Sequence, residues 1–214
     1  MELGKETKFY KIKWFWNIIK NGLFFHGVRN QMAKFGIDIM PYYWVQEATE
    51  HIKSIEIKGG SDNYKVSFFD EDDIKIIKNS IIGIDHKDLI NDFRNGQLCV
   101  GIKHFEKIAA YMFIKRKDFS FRKKTFIIKE NESYMHSMYT FEEYRGKRLA
   151  PFLRYKCYEL MKEKGVDINY SVTEYFNKST IKFKQKLNSK HLQLYVSIIL
   201  FKKITWNLTL RKYK

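Results

Sequence analysis

Six consecutive residues, Arg145-Gly146-Lys147-Arg148-Leu149-Ala150, place three cationic side chains and one glycine at the start of a helical pattern. The first N–H groups of a helix have no intrahelical acceptor, and the helix dipole makes that end positive. Backbone donors, a positive helix end and side-chain cations together make a cradle for an anion of the pyrophosphate type. A solvated basic turn is the reading these six residues leave open beside it.

The elements that must position this turn are legible around it. Leu149, Phe152, Leu153, Cys157, Leu160 and Met161 recur close to a 3.6-residue period, which predicts a helix. Pro151 falls in its first turn, where a missing N–H costs nothing. Lys162 and Lys164 load the last turn and Gly165 ends it. Ser133–Phe141 predicts a strand leading into the turn. Beyond the helix come a strand over Asp167–Thr173, a helix over Asn177–Leu187, and strands over Leu192–Leu200 and Ile204–Leu210.

Upstream, Gly59-Gly60-Ser61-Asp62-Asn63 signals a turn before a strand at Tyr64–Phe69. Helices follow over Asp72–Asn79, which has acids at its N-terminal end, and Asp85–Arg94. Gln97–Lys103 and Lys107–Lys115 form a hairpin across His104-Phe105-Glu106, and Thr125–Lys129 is strand or loop. The order is that of an α+β protein with a mixed, mostly antiparallel central sheet. Ahead of it, Lys8–Phe35 carries twelve large apolar residues among Lys11, Lys13, Lys20 and Arg29. It reads as one or two amphipathic helices, either packed on the main domain or a second subunit, or lying on an anionic membrane. Gly36–Glu50 is a strand or an extended arm. The expected division is a basic, aromatic-rich helical appendage over residues 1–50 and one main domain over 51–214.

Of the chain, 44% is hydrophobic and 17% aromatic, which excludes intrinsic disorder. Cys99 and Cys157 are far apart and form no CxxC pair, so neither a disulfide framework nor a metal site is expected, in keeping with a reducing cytoplasm. No apolar run reaches the roughly 20 residues of a membrane span, and no signal peptide opens the chain. The net charge is +16 and uneven: residues 175–214 hold ten Lys/Arg and no acid. Such a surface implies an anionic partner. Lys182, Lys184, Lys186 and Lys190 would suit a nucleic-acid backbone, but no nucleic-acid-binding motif accompanies them.

The strand, the Arg145–Ala150 turn and the helix resemble the signature of the GNAT superfamily of acyl-CoA-dependent N-acyltransferases, Arg/Gln-x-x-Gly-x-Gly/Ala. Arg145 and Ala150 match its first and last positions, and Glu143-Tyr144 fits the usual lead-in. Arg148 stands where the family has Gly, so its side chain is expected to point away from the cofactor or the turn to widen. A second family element is matched by Asn177-Lys178-Ser179-Thr180-Ile181-Lys182-Phe183-Lys184-Gln185-Lys186-Leu187-Asn188. In it, Lys184 replaces a frequent Tyr and Asn188 the final Gly. The resemblance covers about Tyr64–Leu210.

It implies an enzyme that moves an acetyl or short acyl group from coenzyme A to a primary amine, without a metal. Arg145, Gly146, Lys147, Arg148, Leu149 and Ala150 would bind the pyrophosphate. Asn177, also a good helix N-cap, would bind the pantetheine arm. The backbone N–H of Tyr139 or Thr140 would stabilise the thioester oxyanion. Strand alternation puts Tyr134, His136, Met138 and Thr140 on one face, so His136 would take the amine proton, and His136→Ala would lower turnover about ten- to a thousandfold. Glu174 and Glu142 are rival bases; Tyr170, Tyr175 and Lys184 are candidate acids. The acceptor expected by analogy is an amino sugar, nucleotide- or lipid-linked, in bacterial surface-polysaccharide synthesis in the cytoplasm or at the inner membrane face. A homodimer is an open possibility. The alternative is a GNAT fold that has lost catalysis and binds nucleic acid or membrane.

Overall fold

The structure, a computed structural model, describes residues 24–47, 54–80 and 89–213. Its elements are α1 (Phe24–Lys34), β1 (Ile37–Glu47), β2 (Tyr64–Phe68), α2 (Glu71–Ser80), α3 (Leu89–Arg94), β3 (Leu98–His104) and β4 (Lys107–Lys115). These are followed by β5 (Phe119–Phe121), β6 (Lys124–Phe126), β7 (Glu132–Thr140), α4 (Leu149–Glu163), β8 (Ile168–Glu174), α5 (Lys178–Gln185), β9 (Lys190–Leu200) and β10 (Ile204–Lys212). Eight strands form one sheet in the order β10-β9-β1-β8-β7-β4-β3-β2, and β5–β6 is a separate hairpin. Neighbours are antiparallel except β7 and β8, which run parallel with α4 as their crossover. This is the expected α+β architecture with a mixed sheet.

Local signals explain most boundaries. The central strand β4 is buried on both faces, as its nearly unbroken apolar run requires. Gly165, at φ +74, follows α4. The Asn177 side chain accepts from Thr180 N at 3.1 Å and starts α5. On one face of the sheet, Leu149, Leu153, Cys157 and Met161 of α4 pack on Ala110, Met112 and Met135. The opposite face carries α2 and α3 at one end. At the other end lies an aromatic cluster, in which Trp44 stacks on Phe126 at 4.5 Å and Tyr170 at 4.8 Å.

The division expected at residue 50 needs correction. Residues 37–47 are a strand inserted between β8 and β9, in register with both. Of the helical arm expected over Lys8–Phe35, residues 24–34 form α1 and Phe35 lies in the turn after it; residues 8–23 lie outside the described residues, as do residues 85–88 of the helix expected at Asp85–Arg94. Among the described residues, no helix is long and apolar enough to cross a membrane.

Candidate active site

Two features of β7 shape the site. The first is its split from β8. The two strands pair only at Glu132–Tyr134 and Ile168–Tyr170, although β7 continues to Thr140 and β8 to Glu174. Beyond that point they diverge and leave a wedge through the sheet. The second is a bulge. Tyr111 faces Tyr139 and Phe113 faces His136, so Ser137 and Met138 together oppose Met112. Ser137 takes φ +48, the left-handed conformation that accommodates the extra residue.

The bulge corrects the expected grouping of side chains. A strand that gains one residue reverses the facing of all that follows. His136 faces with Phe113, on the side of α2 and α3, whereas Thr140 faces with Ala110, on the side of α4. Tyr134 and His136 therefore do not share a face with Met138 and Thr140. Backbone directions also separate the two proposed oxyanion donors. Phe141 N donates to Ala109 O of β4 at 3.0 Å. Because N–H directions alternate along a strand, Tyr139 N–H points to β4 and Thr140 N–H points into the wedge. The Thr140 carbonyl also leaves β4, accepting from Arg145 Nε at 3.2 Å.

The basic turn sits at the head of the wedge. Among the described residues, the amides of Gly146, Lys147, Arg148, Leu149 and Ala150 donate to no acceptor of the chain. Lys58 N donates to Lys147 O at 3.0 Å, which ties the turn to the segment before β2. Gly146 has φ +82, and no atom lies within 4 Å of where a Cβ would be, so the space over the turn is open. Arg148 is the N-cap of α4, at φ 64 and ψ 22, with its side chain exposed and making no cap hydrogen bond. The position does need a left-handed residue, and an arginine there costs about 1–2 kcal/mol. Arg145 folds back over the Tyr139 ring, and Lys147 Nζ lies 5.3 Å from the Tyr144 ring centroid. Five free amides at a helix N-terminus, with open space above them, fit the diphosphate of coenzyme A.

On the face away from α4, the wedge opens into a cavity of about 380 Å³. Its floor is Tyr134, His136 and Ser137 of β7 with Val172 and Glu174 of β8. Its roof is the β5–β6 hairpin, through Phe119, Ser120 and Phe121, and Lys115 closes one side. The roof is pinned: Arg122 in the hairpin turn pairs with Asp38, and Asn207 Nδ2 donates to Arg122 O at 2.6 Å.

His136 lines this cavity, but its environment argues against the base expected. Gln97 Nε2 donates to Asp92 at 2.5 Å, which turns Gln97 Oε1 toward His136 Nε2 at 2.9 Å. Nε2 must therefore carry the ring proton, and Nδ1 accepts from Ser137 Oγ at 2.9 Å. Burial, then the charges of Lys115 and Arg154, pull the imidazole down to about 3. A base this weak is poorly matched to an amine near neutral pH. Glu174 also lines the cavity and is bridged by Arg29 Nη1 at 2.8 Å.

Lys184 is placed otherwise than expected. It is buried between α5 and β8 and does not line the cavity. Its three N–H groups meet Ser171 Oγ and Thr173 Oγ1 at 2.6 Å and Glu47 Oε1 at 3.1 Å. Burial, helped by Arg154 and opposed by Glu47, pulls its ammonium down to about 8. Glu47 is the hub of this network, receiving Arg154 at 2.9 and 3.2 Å, Tyr158 at 2.5 Å and Ser171. Burial would raise its carboxyl, but Arg154 and Lys184, with hydrogen bonds from Ser171 and Tyr158, hold it at about 2. One carboxylate from β1 thus fixes α4, β8 and α5 to one another. Sequence reasoning missed Glu47, because nothing local marks a glutamate as buried. Asn177 caps α5 as described, with its Oδ1 committed to Thr180 N and Ser179 Oγ.

Residues 66–188 match the family model of the acetyltransferase (GNAT) family. No curated protein matches the sequence. Solved structures share the fold at low identity. A GNAT-family protein from Novosphingobium aromaticivorans aligns with TM-score 0.55 and 18% identity, over 77% of this chain and 66% of that one. An acetyltransferase from the GNAT family of Colwellia psychrerythraea gives 0.56 and 13%, over 80% and 61%. The glucosamine N-acetyltransferase region of a fungal multi-domain β-N-acetylglucosaminidase gives 0.55 and 11%, over 82% and 23%. The chain thus spans two thirds or less of the length of these structures.

Proposed function

From the premise that the chain belongs to the acetyltransferase (GNAT) family, we propose that it transfers an acetyl group from acetyl-CoA to the primary amine of a small acceptor, an amino sugar. The observation that carries this reading is the wedge: an open amide cradle stands at its head, and a cavity lies on the opposite face of the sheet. A thioester whose diphosphate rests on Gly146–Ala150 has one route to the cavity, between β7 and β8.

In this reading the Gly146–Ala150 amides, with Lys147 and Arg148, hold the diphosphate. The free Thr140 N–H donates to the thioester oxygen and takes up charge as the carbonyl becomes tetrahedral. The acceptor nitrogen attacks from the cavity. Glu174 accepts a hydrogen bond from it and orients it. As the C–N bond forms the C–S bond breaks, and coenzyme A leaves as the thiol with the proton the nitrogen gives up, through water, while His136 completes the wall rather than taking that proton. Holding amine and thioester together supplies most of the acceleration. Phe119, Phe121 and Tyr134 offer aromatic walls for a sugar ring. The reaction belongs where acetyl-CoA is made available, in the cytoplasm.

Calorimetry of acetyl-CoA binding tests the reading directly. Gly146→Trp would fill the open space over the amides and is expected to abolish binding. Retained affinity in the folded variant would overturn the cradle.

A further inference from the structure

The cavity carries an electrostatic asymmetry. Among the described residues, Lys115 and Glu174 are the charged ones that line it. Glu174 is compensated by Arg29, which also binds Asp38 at 2.7 Å, and Asp38 is in turn bound by Arg122. At the Glu174 end, Arg29 and Arg122 thus face the carboxylates of Asp38 and Glu174. Lys115 has no such partner. Among the described residues it forms no ion pair, and its ammonium rests 5.7 Å from the centroid of the Phe119 ring in the roof. Among the described residues that line the cavity, Lys115 is thus the cation without an ion-pair partner.

Its place in the sheet is defined. Lys115 pairs with Tyr134, and Tyr134 pairs with Tyr170 at the point where β7 and β8 part. Lys115 thus stands beside the closed end of the wedge. Glu174, four residues beyond Tyr170 on β8, is about 13 Å further along the strand direction, at roughly 3.3 Å per residue. The reacting centre near Thr140 is also toward the open end. A bound acceptor therefore meets the cation at the end away from its amine. The cavity is near the small end of the range for ligand sites, roughly 300–1,000 Å³, so an acceptor that fills it touches both ends.

We propose that Lys115 determines acceptor specificity, and that the acceptor is a small amine carrying an anionic group, a carboxylate or a phosphate, which the Lys115 ammonium binds. The proposal rests on the cavity being the acceptor site of an acetyl transfer. A cation without an ion-pair partner disfavours a purely cationic acceptor such as a polyamine, because like charges would meet in the site. An anionic group reverses the sign and makes a charge-assisted hydrogen bond with the ammonium.

Thiol release from acetyl-CoA, measured with matched acceptors, tests this. Glucosamine is compared with glucosamine 6-phosphate for the phosphate arm, and propylamine with β-alanine for the carboxylate arm. The wild type is expected to favour the anionic member of at least one pair by about ten- to a hundredfold in kcat/KM. Lys115→Met is expected to erase that preference, Lys115→Arg to keep it, and Lys115→Glu to turn it toward the uncharged member. Acetyl-CoA affinity and thermal melting of each variant show that the fold and cradle persist. If Lys115→Met does not fold, the Arg and Glu variants carry the same comparison. Wild-type turnover that ignores acceptor charge, or a preference that survives in Lys115→Glu, overturns the proposal and leaves acetyl transfer standing. No thiol release with any amine, cationic ones included, overturns both.

Discussion

Glu47→Gln removes one charge and almost no volume from the network beneath the site, and its effect can be worked out in two ways. The side chain is buried at 2% exposure and binds Arg154, Tyr158, Ser171 and Lys184. Its carboxyl lies at about 2, against an ordinary value of 4.5. At about 1.36 kcal/mol per pH unit, that gap is worth roughly 3 kcal/mol. Breaking a buried ion pair by neutralising one partner costs about 3–5 kcal/mol, because the other charge is left uncompensated. Here two cations, Arg154 and Lys184, are left together, each at 3% exposure. Both routes give a loss of about 3–4 kcal/mol, a large share of the roughly 5–15 kcal/mol that holds a domain folded.

The pH dependence distinguishes charge from packing. The folded value lies below the unfolded one, so the stabilisation is complete above about pH 4.5 and is lost as pH falls through 2. Urea unfolding of wild type and Glu47→Gln at pH 7, 5.5, 4.5 and 3.5 reads this out. The difference is expected to be about 3–4 kcal/mol at pH 7, to hold to pH 5.5, and to narrow at 3.5. A difference below about 1 kcal/mol at pH 7, or one that does not narrow in acid, would refute the reasoning.

Two further substitutions test the β7–α4 unit. Arg148→Gly relieves a left-handed arginine and should add about 1 kcal/mol, or roughly 2–4 °C in Tm by calorimetry; a lower Tm would show that the side chain stabilises the turn. His136→Ala should lower kcat less than about tenfold at pH 7.5. Its pH–rate profile should keep every inflection seen between pH 5 and 8 in the wild type, because the ring already sits at about 3. A lost inflection there would restore His136 as the base.

The site was legible in unequal parts. The Arg145–Ala150 turn, Pro151, Gly165 and the Asn177 cap act on their immediate neighbours, and all stand where the spacing placed them. The strand β1 was read only as strand or arm, partly because Pro41 interrupts it, and a proline argues against a central strand. The structure shows why it is tolerated. Pro41 O accepts from Tyr175 N, so the ring nitrogen faces the same way, past the end of β8, while pairing with β8 begins at Tyr42. No ladder hydrogen bond to β9 is lost.

Likewise, alternation along Ser133–Phe141 was a sound rule applied across a bulge. One extra residue at Ser137 moved Thr140 to the face opposite His136. Lys184 looked like one of four lysines on a basic helix, and it is the one turned inward onto a glutamate 137 positions away.

The sequence by itself determined the Arg145–Ala150 turn, the helix ends, the N-cap and the α+β order, because each depends on contacts within a few residues. Only the tertiary structure decided where β7 and β8 part, which amide faces the wedge, which cation lacks a partner, and that Glu47 joins three other elements. Those outcomes depend on register and burial between distant segments. Residue type and local period carry no record of which strand will lie alongside, or of which charge will be shut away from water.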